Sequence, residues 1–535
     1  MSVLKSYTAM ITLMLAAGAA HAQAPPAVPA APAPVGDYRA DPGHTGVSKE
    51  SLTAPLTLLW RHTASAAKNN PASAVYGKGL VYFASGGVAY ALDAADGTTR
   101  WQYPADGKPQ ANFGATPTLD GTGLYLADDT GQVTRLDAAT GKAVWVAKLE
   151  GAIRASPAVS GGIVYVGSGA NHCYALSADT GKTAWDQQTA GAVTTPPIVI
   201  GGIVVFAAAD GNVYGLGTRD GRKVWAQAFD PDPSTQAMAY DGQYLYVTSG
   251  PVLARLDPSN GNRRPTVTLP TLLAAPPTVS AAGLYAITQS NVLYALAPTG
   301  GVRWKMTLDS ATSAPPLLAG GVLLVSTQGG VVSGYDSGSG KLVWQYAVQA
   351  SATDSQPKAQ TVQVSAAPML AGGTLYVVSD DGTLSAFRTT APDNIGPLFP
   401  QLVPAEGQTV GSQGVTYGAL LVDEGSGINP ATLSMSVDGQ PDAKALYQVG
   451  PGSISDTPTT ALTEGTHKIT VTASDWRGNK STQTWSFRVN DNPNSGRGGR
   501  GGRGGGGFNP YSPNYPGRGG RDPNAPPPPP PITPF

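Results

Sequence analysis

The chain has 535 residues, of which 13% are charged, 68 are Gly and 47 are Pro, and its formal net charge is −1. So little charge with so many turn formers argues against a helical bundle and for a turn-rich all-β protein. The near-zero net charge excludes a global attraction to nucleic acid or to an anionic membrane. A single cysteine, Cys173, excludes any intrachain disulfide, and its apolar surroundings (HCYAL) read it as a small buried hydrophobe.

In chain order, residues 1–22 carry one Lys, an apolar run from Met10 to Ala20, and the small-x-small triplet Ala20-His21-Ala22. This is the pattern of an export signal cleaved near Ala22, and the run is too short for a permanent membrane anchor. No Cys stands at the cleavage site for lipid attachment, so the expected address is the periplasm or the cell surface. Residues 23–36 read as a Pro/Ala linker.

From residue 37 a phrase recurs: LDAADGTTRW, LDAATGKAVW, LSADTGKTAW, LGTRDGRKVW and YDSGSGKLVW. Its tryptophans, Trp101, Trp145, Trp185, Trp225, Trp304 and Trp344, stand 44, 40, 40, 79 and 40 residues apart. The double gap places a missing beat on Pro265. A period near 40 with short alternating strands and Gly-rich turns predicts four-stranded propeller blades. Eight unit starts can be counted between Ala74 and Ala366. The last unit lacks a closing Trp strand, while PLTLLWRHTA, with Trp60, is an orphan closing strand at the other end. The prediction is an eight-bladed ring over 37–390, closed by the N-terminal strand. Within each phrase, Asp137 and Thr140 suit a turn, Gly141 supplies a left-handed backbone, and Trp145 fills the gap between blades.

The phrase, its period and its Trp register resemble the quinoprotein (PQQ-like) repeat propellers over about residues 37–390. The resemblance implies one of two functions. One is a PQQ- and Ca²⁺-dependent alcohol or sugar dehydrogenase; the other is a non-catalytic binding ring similar to the BamB outer-membrane assembly factor. The dehydrogenase branch implies a pair of adjacent cysteines in many members and a cluster of carboxylate and amide oxygens for the metal. One Cys cannot make the pair, and the acids (Asp93, Asp137, Asp179, Asp220, Asp257) recur at turns instead of clustering. The sequence thus points to a monomeric, non-catalytic ring with no catalytic, cofactor or metal residues, with the quinone enzyme as the alternative. A polysaccharide-binding or hydrolytic propeller stays open as a third class. The expected partner is an envelope protein or a surface polymer.

The connection after Trp344 is long, and Thr353, Asp354, Gln356, Lys358 and Gln360 within it are the candidate partner contacts. Arg135 and Arg255, which replace the Ala of the Y-A-L strand, are weaker candidates. Residues 395–491 resemble bacterial immunoglobulin-like modules, with Ile469, Val471 and Ala473 on one strand face and Trp485, Phe487 and Val489 on another. Oxygen-rich turns at 423–428 and 475–479 read as turn chemistry, with too few carboxylates for a Ca²⁺ site. The tail, 492–535, is Arg/Gly- and Pro-rich and reads as disordered: a flexible tether, or a basic segment for a polyanionic surface.

Overall fold

The computed structural model describes residues 34–64, 72–109, 111–230, 238–349 and 361–491. Along 57–388 the chain forms eight consecutive blade sheets. Blade 3 shows the pattern: Ala158–Ser160, Ile163–Ser168, His172–Ser177 and Thr183–Gln188, each antiparallel to the next. The second and third strands are almost wholly buried because blades pack on both of their faces. Their sequences are therefore continuously apolar. The fourth strand lies at the rim and alternates between exposed and covered residues, and its sequence alternates too.

The repeated phrase is explained by contacts between blades. Six blade tryptophans donate their indole N–H to a backbone carbonyl of the following blade's turn, among them Trp101 to Ala138 at 3.0 Å, Trp145 to Ala178 at 2.9 Å and Trp185 to Thr218 at 3.0 Å. The turn glycine lies flat on the same ring. A Cβ on Gly141 would sit 2.5 Å from Trp101, and one on Gly181 would sit 2.6 Å from Trp145. Glycine is thus required twice, by its positive φ (70° and 69°) and by the ring above it. Asp137 holds the turn by accepting from the Thr140 amide at 2.9 Å and the Thr140 hydroxyl at 2.7 Å.

The missing beat has a substitute. Where blade 5 carries Pro265 in place of Trp, Arg255 on the neighbouring strand donates to the Pro265 carbonyl at 2.8 Å and reaches across to the Pro298 carbonyl at 3.1 Å. Pro298 begins the turn of blade 6, so the guanidinium makes the bond to the next blade that an indole makes elsewhere.

Blade 8 takes its outer strand from the other end of the chain. Thr57–Thr63 pairs antiparallel with Thr383–Arg388, beside Thr374–Val378 and Met369–Ala371. Every pair of neighbouring blades shares an apolar core, including blades 8 and 1, where Trp60, Ala386 and Tyr376 pack with Phe83, Tyr90 and Leu92. The borrowed strand thereby covers the edge of Thr383–Arg388 that would otherwise stay open.

Beyond Thr389 the chain builds a two-sheet β-sandwich. Leu398–Val403, Tyr417–Val422, Ser453–Asp456 and Leu446–Gln448 form one sheet. Gly465–Ser474 and Lys480–Val489 dominate the other. Ile469, Val471, Ala473, Trp485, Phe487 and Val489 are all buried in the core between the sheets. The Trp485 indole, buried end to end, donates to the Pro404 carbonyl at 2.9 Å.

Candidate functional site at the ring centre and its closure

Two places draw together polar groups from distant parts of the chain. The first is the ring centre. Val35 exchanges backbone hydrogen bonds with Tyr76 of blade 1 at 2.8 and 2.9 Å, and the Gly36 carbonyl accepts from Leu119 of blade 2. The Gly43 carbonyl accepts from Tyr240 of blade 5, Thr45 from Val279 of blade 6, and Gly46 from Leu318 of blade 7. A segment that leaves the inner strands of blades 1 and 2 and meets those of blades 5, 6 and 7 a few residues later runs across the centre. Residues 35 and 36 thus belong to the ring and not to the linker that composition suggests.

The crossing is made by Asp37-Tyr38-Arg39-Ala40-Asp41. Arg39 is buried, donates to the Pro277 carbonyl at 2.6 Å, and leaves its Nε and one terminal nitrogen without a partner among the described residues. Asp41 folds the next turn by accepting from the Gly43 amide at 2.7 Å and from the Thr45 amide and hydroxyl. Burial, then the Arg39 charge, pulls the His44 imidazole down to about 3, so it is neutral. Burial, with help from Asp41 and Asp120, pushes Asp37 up to about 6.

The second place is where the sandwich meets the ring. Blade 8 has no third-to-fourth-strand turn, because its fourth strand arrives from the N-terminus. Trp344 of blade 7 would have donated to that turn. Its indole N–H is shared instead between the carbonyls of Leu56, at the start of the borrowed strand, and Ser426, in a sandwich turn, both at 3.0 Å. Gly427, with φ of 86°, packs against Gln345 and Tyr346. Leu58 donates its amide to Gly425 at 3.0 Å, Trp476 donates its indole to the Gln345 carbonyl at 3.1 Å, and Arg477 bonds Thr57 and the Thr389 carbonyl. A sandwich turn therefore occupies the place of the missing blade turn.

Beneath that turn lie Asp393, Asp423 and Asp475, the one group among the described residues whose acidic oxygens, all within 4.8 Å of one another, have the reach to share a metal ion. The reading that too few carboxylates converge near 423 and 475 is corrected: Asp393, from the connecting segment, is the third. Amides already hold the trio, from Gly425 and Gly427 to Asp423, Ser426 to Asp393, and Asn479 to Asp475. Burial, then repulsion from Asp393 and Asp475, pushes Asp423 up to about 7 against the bonds from Gly427 and Gly425. Asp475 is raised as well, first by burial.

The ring's own acids form no such group among the described residues. Four of its five repeat aspartates are spent on their own turns: Asp93 on Ala95 and Arg100, Asp137 on Thr140, Asp220 on Arg222, Asp257 on Ser259 and Arg264. Cys173 is fully buried, and burial raises its thiol far above the ordinary range. Arg135 stands over the Tyr125 ring, 3.9 Å from Asp179 of the next blade. Thr353, Asp354, Gln356, Lys358 and Gln360 lie outside the described residues. Sequence reasoning missed the crossing segment and the Asp393 contact; only the oxygen-rich turns at 423 and 475 signalled the second.

A family profile described as outer membrane protein assembly factor BamB matches residues 52–152, 129–271 and 249–391. Among curated proteins, the serine/threonine-protein kinase AfsK of Streptomyces griseus is 41% identical over 70 residues, 12% of this chain and 9% of that protein. BamB of Moranella endobia is 28% identical over 119 residues, 22% of this chain and 28% of that protein. The matched segments thus span less than a third of either relative's length. Of solved structures, BamB from Moraxella catarrhalis is similar with a TM-score of 0.50 at 20% identity, covering 62% of this chain and 99% of that one. Quinohemoprotein alcohol dehydrogenase from Comamonas testosteroni is similar with a TM-score of 0.56 at 15% identity, covering 70% and 83%. At such identities these likenesses show the propeller fold alone. The profile, in contrast, spans more than half of the chain, and the protein belongs to the BamB-like family of PQQ-repeat propellers.

Proposed function

We propose that the protein is an exported, non-catalytic ring that binds an envelope protein or surface polymer, with an immunoglobulin-like module docked on its rim. One observation carries this reading: the ring's recurring acids and its centre serve its own architecture. The repeat aspartates close turns, and the chain's own backbone crosses the centre from blade 2 to blade 5. Surface loops are left as the carriers of function. The segment holding Thr353, Asp354, Gln356, Lys358 and Gln360 is the proposed contact. A photo-cross-linking residue placed at each of these five positions should give a discrete light-dependent adduct in intact cells from at least one; no adduct from any would remove the loop from the proposal. Export is tested separately by fractionation, which should place a shortened chain beginning near Gln23 outside the cytoplasm.

A further inference from the structure

At the seam between blades 8 and 1 lies a groove of about 600 Å³ whose lining includes Lys78, Asp93, Arg100, Gly372 and Arg388. Lys78 and Gly79 form the tight turn between Val75–Gly77 and Leu80–Ser85, with φ of 53° and 80°. The first place in the corresponding turns of blades 2, 3, 4, 7 and 8 is held by glycine: Gly121, Gly161, Gly201, Gly320 and Gly372, with φ between 58° and 63°. A lysine there pays for a left-handed backbone that glycine adopts freely, and such strain tends to mark functional positions.

What this turn can hold is shown on blade 8. The Gly372–Gly373 turn, with φ of 60° and 67°, grips a carboxylate of the chain itself: the two amides donate to the two oxygens of Glu50, each at 2.8 Å. The blade 1 turn likewise has positive φ at both residues, and among the described residues nothing accepts from its two amides. It adds an ammonium group to that backbone cradle. Arg388, across the groove, bonds only neutral acceptors, Thr374 at 2.9 Å and the Gly372 carbonyl at 3.3 Å, and makes no ion pair among the described residues. Arg100 is paired with Asp93, so the two cations left over are Lys78 and Arg388.

We propose that the Lys78–Gly79 turn seats a carboxylate of an acidic peptide segment, with Arg388 as a second anchor along the groove. Two amides and one cation on a carboxylate make charge-assisted bonds stronger than neutral ones. The groove's volume suits a few residues of peptide. The peptide assignment follows from Glu50, a peptide carboxylate on the same turn geometry. The site goes beyond the proposed ring function and is tested on purified full-length protein without reference to it.

Fluorescence anisotropy with labelled hexaglutamate at low salt supplies the test. The wild type should bind, and Lys78→Gly and Arg388→Gln should each weaken binding at least tenfold. Lys78→Gly should also raise the thermal midpoint, because glycine relieves the left-handed strain; a loss of binding in a more stable protein cannot come from misfolding. Unchanged affinity in Lys78→Gly, or no binding by the wild type, would overturn the proposal. Equally tight binding of a labelled oligogalacturonate of the same charge would overturn the peptide assignment.

Discussion

Trp344 donates its indole N–H to the carbonyl of Ser426 at 3.0 Å, 82 residues away and in the other domain. The other blade tryptophans donate to the turn of the next blade, as Trp185 does to Thr218. Closing a ring with a borrowed strand deletes one such turn, and the sandwich supplies the lost acceptor. The C-terminal module is thereby part of the closure of the ring.

Trp344→Phe keeps a ring in the fully buried site and removes the donor to both Leu56 and Ser426. It should cost about 2–4 kcal/mol, a cavity plus two carbonyls left without their partner. It should also speed limited proteolysis within residues 389–397, which Trp185→Phe, a loss of one bond, should not. Equal protease sensitivity in the two variants would show that the sandwich does not depend on this contact.

Arg255→Ala removes the bonds to Pro265 and Pro298 and should destabilise by about 1–2 kcal/mol. Arg135→Ala, whose nearest acid is 3.9 Å away and exposed, should cost less than about 1 kcal/mol. Adding Pro265→Trp to Arg255→Ala should recover part of the loss by restoring the repeat. Denaturant midpoints of the three variants decide whether Arg255 stands in for the missing indole.

Gly181→Ala places a methyl group 2.6 Å from Trp145 at a φ of 69°. The expected loss is about 2–4 kcal/mol, from backbone strain and a displaced indole together. Gly161→Ala, where a Cβ meets nothing within 4 Å, pays only for its φ of 60° and should lose about 1–2 kcal/mol. Thermal unfolding of the pair separates the two costs.

Asp423 carries a folded-state carboxyl raised from 3.8 to about 7, so the folded protein holds this proton more tightly than the unfolded chain does. Its penalty is absent below about pH 4, grows as pH rises, and is complete above about pH 7, where it is on the order of 4 kcal/mol. Asp423→Asn can still accept from Gly425 and Gly427 and carries no charge. Measured with a chelator present, the variant should match the wild type near pH 4 and be the more stable at pH 8. The reverse order at pH 8 would show that the charge is stabilising.

What the sequence disclosed, it disclosed through local chemistry. The Asp-x-x-Thr-Gly-Lys turn and the Trp four residues on are short-range demands repeated by period, and the incomplete last unit pointed to Trp60. The ring centre was illegible because Val35, Gly36, Gly43 and Gly46 act through backbone groups, which leave no side-chain pattern. The gap at Pro265 was visible. Its filling by Arg255 was not, because it depends on a side chain reaching from a neighbouring strand to the next blade. Asp393 sits in a connecting segment and meets Asp423 and Asp475 only once the sandwich has folded against it.

Whether the ring is catalytic can be settled by incubating the purified protein with PQQ and Ca²⁺, removing the excess by gel filtration, and recording the absorbance and dye reduction with alcohols and aldose sugars. A non-catalytic ring retains no quinone and reduces no dye. Stoichiometric quinone on the protein, with substrate-dependent dye reduction, would contradict the proposed function.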